Sequence, residues 1–182
     1  PFNAENGYEL APSYEAGQVV DSYGGGICQV STTLYNAVLR AELNVTERSP
    51  HSMTVHYVDL SEDAAIAGTY KDFKFKNSTE YPIYIEGYTT SDKKITFNIY
   101  GKETRDSNRS ISFESQMVSE TPATTILQED AGQGIGYKAV SSKGSSGYVA
   151  ELYKIVKVNG VQTDRIKINK STYKGSDRVV TY

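Results

Sequence analysis

The only cysteine of this 182-residue chain, Cys28, follows three consecutive glycines in SYGGGICQVSTTLY, residues 22–35. A thiol in the first turn of a helix faces free backbone amides, whose partial positive charge favours the thiolate. A helix is predicted to begin here because apolar residues recur at spacings of three and four: Ile27, Val30, Leu34, Val38 and Ala41. We therefore expect Cys28 to be a nucleophile. The alternative is an inert thiol packed in the core beside a glycine-rich turn.

A cysteine nucleophile needs a base, and the chain contains two histidines, His51 and His56. Apolar residues alternate after Pro50, which predicts a strand over residues 51–57 with His51 at its entrance. The sequence does not decide whether His51 is a catalytic base or a polar surface residue. His56 is expected to be a solvated strand residue. A third group should orient the imidazole, and spacing does not choose among the downstream carboxylates: Asp59, Asp63 and Asp72.

The segment GGGICQVSTTLYNAVL, followed by ER and HS and then by YKDFKFKNSTEYPIYI, resembles the VanW domain of bacterial cell-wall proteins. The resemblance covers residues 1 to 100, and the family usually has no histidine where His56 lies. It implies these catalytic residues: Cys28, His51, Asp63 and Asp72. It also implies these substrate-binding residues: Gly26, Gln29, Thr32, Tyr35, Arg48 and Ser52. Helix packing is an equally good interpretation of Tyr35.

Some members of the family are regarded as peptidoglycan L,D-transpeptidases. The resemblance therefore implies a cysteine-dependent acyltransferase that joins third-position residues of peptidoglycan stem peptides through a thioester acyl-enzyme. No cofactor is expected, and one cysteine with two histidines provides few ligands for a metal site. Two alternatives stay open: a cysteine peptidase on the same stems, and a non-catalytic wall-binding or structural surface module.

Alternating strand patterns dominate the rest of the chain and predict an α+β fold. We expect an antiparallel sheet with a short helical section carrying the cysteine, followed by a small all-β domain. The consecutive strands are predicted at DFKFKN, YPIYIEGY, KKITFNIYG and RSISFESQ. The composition shifts at SETPATT, residues 119–125, which indicates a linker. The predicted domains are a catalytic domain at 1–118 and a β-rich accessory domain at 119–182.

The accessory region is predicted to contain a long hairpin with its turn at Asn159-Gly160, and the pattern of the first strand indicates a bulge. This region resembles the five-glycine module of surface proteins that bind or span cell wall. It serves either as a glycan-binding domain or as a rigid spacer. Because it contains neither cysteine nor histidine, we expect the chemistry to reside in the first domain, while this region positions or extends that domain.

The net charge of −3 argues against a nucleic-acid binder, which would present a basic face. No run of about 18 apolar residues is present, so any membrane attachment is expected through a segment outside this chain. We expect an extracellular monomer, in the cell wall or anchored on the outer face of a Gram-positive bacterium, as part of a longer protein. Its expected partners are peptidoglycan stem peptides.

Overall fold

The computed structural model describes residues 2–15 and 18–182, which form one α-helix, a short 3-10 helix and twelve strands. In chain order these elements are the 3-10 helix Ala4–Asn6, β1 Leu10–Glu15, β2 Gln18–Tyr23, α1 Ile27–Arg40, β3 Asn44–Glu47, β4 Lys74–Lys76, β5 Tyr84–Thr89, β6 Ile95–Tyr100, β7 Arg109–Thr121, β8 Thr125–Gln128, β9 Ala139–Ser145, β10 Gly147–Val158, β11 Val161–Tyr173 and β12 Ser176–Thr181. The α+β prediction is confirmed. No described helix is long and apolar enough to cross a membrane.

The helix begins where the sequence predicts, directly after the glycines. Gly26 is its N-cap and has a φ of 87°, a conformation that favours glycine. Gly25 passes so close to β1 that an added Cβ would lie 2.3 Å from the Ala11 carbonyl oxygen. These two positions explain why small residues precede the cysteine: they let the chain turn tightly from β2 into α1.

The buried face of α1 differs from the predicted apolar stripe. Of that stripe only Val38 is fully buried, and Val30 is 41% exposed. The face that packs inward is half polar and consists of Ser31, Thr32, Tyr35, Val38 and Leu39. The prediction was wrong because the two hydroxyls near the start of the helix find buried partners: Ser31 Oγ and Thr32 Oγ1 both donate to the Ala64 carbonyl.

The strands form several small sheets rather than the single consecutive sheet that the sequence predicted. Antiparallel pairs join β1 to β2, β3 to β4 and β5 to β6. Thus β4 pairs with β3 and not with its successor β5. Two three-stranded sheets follow, in the orders β11-β10-β7 and β8-β12-β9, the second with one parallel pair between β8 and β12.

The strand predicted over residues 51–57 is wrong. Residues 48–73, all of them described, form loops and turns apart from one isolated bridge between Ala67 and Lys71. Hydrogen bonds between this loop and distant parts of the chain hold it in place. For example, the Ser61 hydroxyl donates to the Ala150 carbonyl, and the Ser115 hydroxyl donates to that of Leu60.

The predicted hairpin is confirmed. Strands β10 and β11 pair antiparallel through a two-residue turn at Asn159 and Gly160, whose φ values are 53° and 78°. A register shift between Leu152 and Tyr153 is the predicted bulge. Strand β7 runs through Thr121, so the first residues of the stretch interpreted as a linker lie inside a strand.

The main core lies between the helix and the long three-stranded sheet. Its buried members are Tyr35, Leu39, Ala64 and Leu152, with Val45, Phe73, Phe113 and Ile168 packed around them. Leu152 and Ile168 lie beyond residue 118, so both halves of the chain build one core. The boundary between 118 and 119 stays a prediction.

Candidate active site

Cys28 lies in the first turn of α1 and is half-buried. Its Sγ is 3.4 Å from the Ile66 carbonyl oxygen, to which the neutral thiol donates. Burial raises the pKa of the thiol, but the hydrogen bond from His51 and the charges of His51 and Lys71 lower it below its ordinary value. The surroundings of Cys28 therefore favour the thiolate.

His51 connects the thiol to a buried carboxylate. Its Nδ1 lies 2.7 Å from Asp63 Oδ2, and its backbone N–H donates to the same oxygen over 2.6 Å. Burial lowers the pKa of the imidazole, but the hydrogen bonds with Asp63 and Cys28 raise it to about 9. Because Asp63 occupies Nδ1, Nε2 is the ring nitrogen left for the thiol. A thiolate beside an imidazolium is the arrangement of an activated cysteine nucleophile.

Asp63 is fully buried and remains anionic. Burial raises the pKa of this carboxyl, but the hydrogen bond from His51 and the charge of Arg48 lower it below its usual range. Arg48 Nη2 donates to Oδ1 over 2.7 Å, and Arg48 Nε donates to the Asp63 carbonyl over 2.6 Å. A buried carboxylate is stable only with such partners, which also fix its orientation toward the imidazole.

Strand β11 supplies contacts from three alternate residues, which share one face of the strand. The Tyr173 hydroxyl donates to Asp63 Oδ1 over 2.5 Å and accepts from the Ser61 amide over 2.7 Å. Ser171 Oγ accepts from Arg48 Nη1 over 2.8 Å. Asn169 Nδ2 donates to the Tyr35 hydroxyl, also over 2.8 Å. The thiol, the imidazole and the carboxylate thus lie in the first predicted domain, and residues of the second hold them in position.

Two more residues at the site were missed as functional candidates. The Tyr57 hydroxyl is 3.5 Å from His51 Nε2, and burial raises the pKa of this phenol to about 12, so it stays neutral. Lys71 Nζ donates to the Pro50 carbonyl over 2.6 Å and to Ser52 Oγ over 3.3 Å. No spacing signal in the sequence distinguishes these two from the other tyrosines and lysines.

The structure separates the two carboxylates that the resemblance implied. Asp72 is exposed, accepts from its neighbouring Phe73 amide and lies 3.4 Å from Lys74 Nζ. Of these two carboxylates, Asp63 contacts His51 and Asp72 does not. Asp59, left open by spacing, accepts the Glu62 amide through its backbone carbonyl. His56 is exposed.

The residues proposed to bind substrate divide by exposure. Thr32 and Tyr35 are no more than 1% exposed, so they position the loop and cannot contact a ligand. Arg48 is occupied by Asp63 and Ser171. Three of the set have exposed surface near the thiol or the imidazole: Gly26, Gln29 and Ser52. Within residues 2–15 and 18–182, no group of three potential metal ligands converges.

Comparison with known proteins identifies two regions. The family described as VanW like protein matches residues 1–100, and the G5 domain family matches residues 114–182. A curated relative, the uncharacterized protein YoaR of Bacillus subtilis (strain 168), is 44% identical over 79 residues, which cover 43% of this chain and 26% of that protein. The chain therefore spans about a quarter of the length of that relative.

Two solved structures match about the same share of the chain. "IgA1 Protease G5 domain structure" is 22% identical with a TM-score of 0.30 and covers 40% of this chain and 88% of that one. "Crystal structure of HP0197-G5" is 18% identical with a TM-score of 0.23 and covers 40% and 96%. Because the first family match spans more than half of the chain, the chain belongs to the VanW like protein family, and it carries a G5 domain at residues 114–182.

Proposed function

We propose that this chain is a cysteine-dependent acyltransferase of the bacterial cell wall that cross-links peptidoglycan stem peptides as an L,D-transpeptidase. The observation that carries the proposal is the grouping of three side chains: His51 is bonded to the buried Asp63, and the Cys28 thiol lies near enough to His51 for each to shift the pKa of the other toward the ion pair. Membership of the VanW family and the presence of a G5 domain support a function related to the cell wall. The thioester chemistry and the stem peptide rest on the site and on the family resemblance.

Acylation begins from the thiolate and the imidazolium. The Cys28 sulfur attacks the carbonyl carbon of the third residue in a donor stem, and a C–S bond forms. The C–N bond to the terminal residue then breaks, and His51 gives its proton to the departing amine. Asp63 holds the imidazole through Nδ1 during this transfer and stays ionised throughout.

Transfer reverses the roles of the same groups. A side-chain amine of an acceptor stem attacks the thioester carbonyl, and the neutral His51 takes a proton from that amine. The C–S bond breaks and the thiolate leaves, so that the thiolate and imidazolium are restored. The product is an amide between third-position residues. No co-reactant beyond the two stems is consumed.

The start of α1 can stabilise the negative oxygen of the tetrahedral intermediate. The Ile27 amide donates to the Gly24 carbonyl over 3.1 Å, and the Gln29 amide donates to the Gly26 carbonyl over 3.0 Å. The Cys28 amide has no carbonyl acceptor within the described part of the chain. We assign it to the oxyanion, where a preorganised backbone donor is worth most.

Purified soluble muropeptides test the proposal and separate the enzyme classes. The native chain should convert tetrapeptide stems into cross-linked dimers, detected by liquid chromatography and mass spectrometry, and Cys28→Ala should not. Tripeptide stems without dimers would indicate the peptidase. If both proteins leave the muropeptides unchanged while binding insoluble sacculi, the chain is a non-catalytic wall-binding module.

A further inference from the structure

Lys71 contacts two segments of the site. One carries the base His51, and the other carries Ile66, whose carbonyl accepts from the Cys28 thiol. Its Nζ bonds to Pro50 and Ser52, which are the residues on either side of His51. Its backbone carbonyl accepts from the Ala67 amide over 3.0 Å, and the preceding residue, Ile66, contacts the Cys28 sulfur. The ammonium is therefore held at the two chain neighbours of His51, while the backbone of Lys71 is bonded to the segment that contacts the thiol.

This ammonium lacks a carboxylate partner within the described residues. Some lysines have one, such as Lys74 with Glu47 and Lys154 with Glu42, and Lys71 differs from the other unpaired lysines in lying beside the neighbours of His51. Partial burial lowers the pKa of Lys71, while the charges of Asp63 and Cys28 raise it. Asp63 is already bonded to Arg48, His51 and Tyr173, so it has no direct bond for Lys71.

We propose that Lys71 is a carboxylate subsite that binds the C-terminal carboxylate of the residue leaving the acyl donor. The identity of the donor peptide rests on the proposed function, but the presence of the subsite does not. The cation has two bonds to neutral oxygens and one N–H left to donate. A bond from that N–H to a carboxylate joins two opposite charges, so it is stronger than either existing bond, whose acceptor is a neutral oxygen.

The covalent structure of an amino acid agrees with this placement. In a departing C-terminal residue, the amine and the carboxylate are attached to the same carbon atom. The group that protonates the amine and the group that binds the carboxylate must therefore lie close together. His51 is the proton donor, and its two chain neighbours hold Lys71 Nζ. The subsite would select donors in which one residue with a free carboxylate follows the scissile bond.

Alkylation of Cys28 by two reagents tests the subsite without any peptide substrate. Iodoacetate and iodoacetamide both transfer a CH₂ group to the sulfur with loss of iodide, but only iodoacetate has a carboxylate next to that carbon. Any change in the pKa of the thiol alters both rates equally, so the ratio of the rates reports carboxylate binding. Lys71→Met and Lys71→Gln should lower the iodoacetate-to-iodoacetamide ratio about tenfold, as expected for a lost charge-assisted hydrogen bond.

The matched control is Lys74→Met, which removes an exposed positive charge three positions away. Lys74→Met and Lys71→Arg should keep the native ratio. Thermal melting must first show that each variant is folded, and the glutamine variant keeps a donor for the Pro50 carbonyl if the methionine variant is unstable. An unchanged ratio in both Lys71→Met and Lys71→Gln, or an equal fall in Lys74→Met, would overturn the proposal.

A second experiment, with peptide substrates, tests whether the subsite recognises the acyl donor. The native chain should form the acyl-enzyme faster with a tetrapeptide stem than with the same stem ending in an amide, and Lys71→Gln should lose that preference. If the native chain is acylated by neither peptide, the proposed function fails while the alkylation ratio still decides the subsite. Equal preference for the acid in native and Lys71→Gln proteins would exclude Lys71 as the group that recognises it.

Discussion

The hydroxyl of Tyr173 donates to Asp63 Oδ1 over 2.5 Å, although the two residues are 110 positions apart. Tyr173 is the last residue of β11 in the G5 domain, and Asp63 lies in the loop that orients His51. The phenol is 3% exposed, so water cannot replace it easily. The G5 domain is thus part of the site and not only an attachment to it.

Replacing Tyr173 with phenylalanine removes one hydroxyl and keeps the ring. We expect the free energy of unfolding to fall by about 1–3 kcal/mol, because Asp63 loses a donor and the buried Ser61 amide loses its acceptor. Chemical denaturation measures this change. The pH midpoint of Cys28 alkylation should also rise, because a less firmly held Asp63 stabilises the imidazolium less.

Tyr148→Phe is the matched control for that change. Its hydroxyl also donates to a carboxylate, Glu120 Oε1 at 3.2 Å, but this hydrogen bond is exposed to solvent. Its loss should alter stability by less than about 0.5 kcal/mol and leave the alkylation midpoint alone. Equal effects of Tyr173→Phe and Tyr148→Phe would contradict the positioning role of Tyr173.

Asp63→Asn should cost more activity than any other conservative change in the loop. The amide cannot stabilise the imidazolium, so we expect cross-linking to fall by about 100-fold or more and the pKa of His51 to drop. NMR titration of the imidazole and the rate of dimer formation measure the two effects. Asp72→Asn is the control, since that exposed carboxylate does not touch His51. A greater loss of activity in Asp72→Asn than in Asp63→Asn would refute the assignment.

The pH dependence of the site follows from the opposite shifts of its two titrating groups. The thiolate is present above the lowered pKa of Cys28, so iodoacetamide alkylation should have a midpoint below about 8.5, the ordinary value for a thiol. Cross-linking should fall as the pH rises through about 9, where His51 loses the proton that it gives to the leaving amine. His51→Ala should raise the alkylation midpoint, and His56→Ala should not. A native midpoint of 8.5 or higher would argue against the ion pair.

Truncation after Glu114 tests whether the two halves are separable. The shortened chain loses Leu152 from the shared core and the contacts of Ser171 and Tyr173 at the site. Because a broken buried ion network costs several kcal/mol, we expect the fragment to be unfolded by circular dichroism and its Cys28 to have an ordinary alkylation midpoint. A folded fragment with native alkylation would show that the G5 domain is dispensable for the site.

The sequence could predict what depends on short-range chemistry. The start of α1 at the glycines and the Asn159-Gly160 hairpin follow from local conformational preferences, and both are found. The placement of His51 near Cys28 could be anticipated because a thiol nucleophile would require a base and only two histidines exist in the sequence. Local rules sufficed for these features because each involves a few neighbouring residues or a scarce residue type.

The rest depends on pairings across long stretches of chain. Alternation at residues 51–57 favoured a strand, but the His51 amide bonds to the Asp63 side chain and the Ala65 amide bonds to the Ser49 carbonyl. Nothing local marks Asp63 over Asp72, since the choice is made by Arg48 and Tyr173, the latter contributed by the far end of the chain. The inward face of α1 was likewise decided by the Ala64 carbonyl and not by apolar spacing.

The most direct test of the account is the intact mass of the protein after brief incubation with purified tetrapeptide muropeptides. We predict that the native chain gains the mass of a stem lacking its terminal residue, that hydroxylamine removes the added mass, and that peptide mapping locates it on Cys28. Cys28→Ala should gain nothing. A native chain that stays unmodified under conditions in which it forms dimers, or an adduct that persists in Cys28→Ala, would contradict the role of Cys28 as the nucleophile.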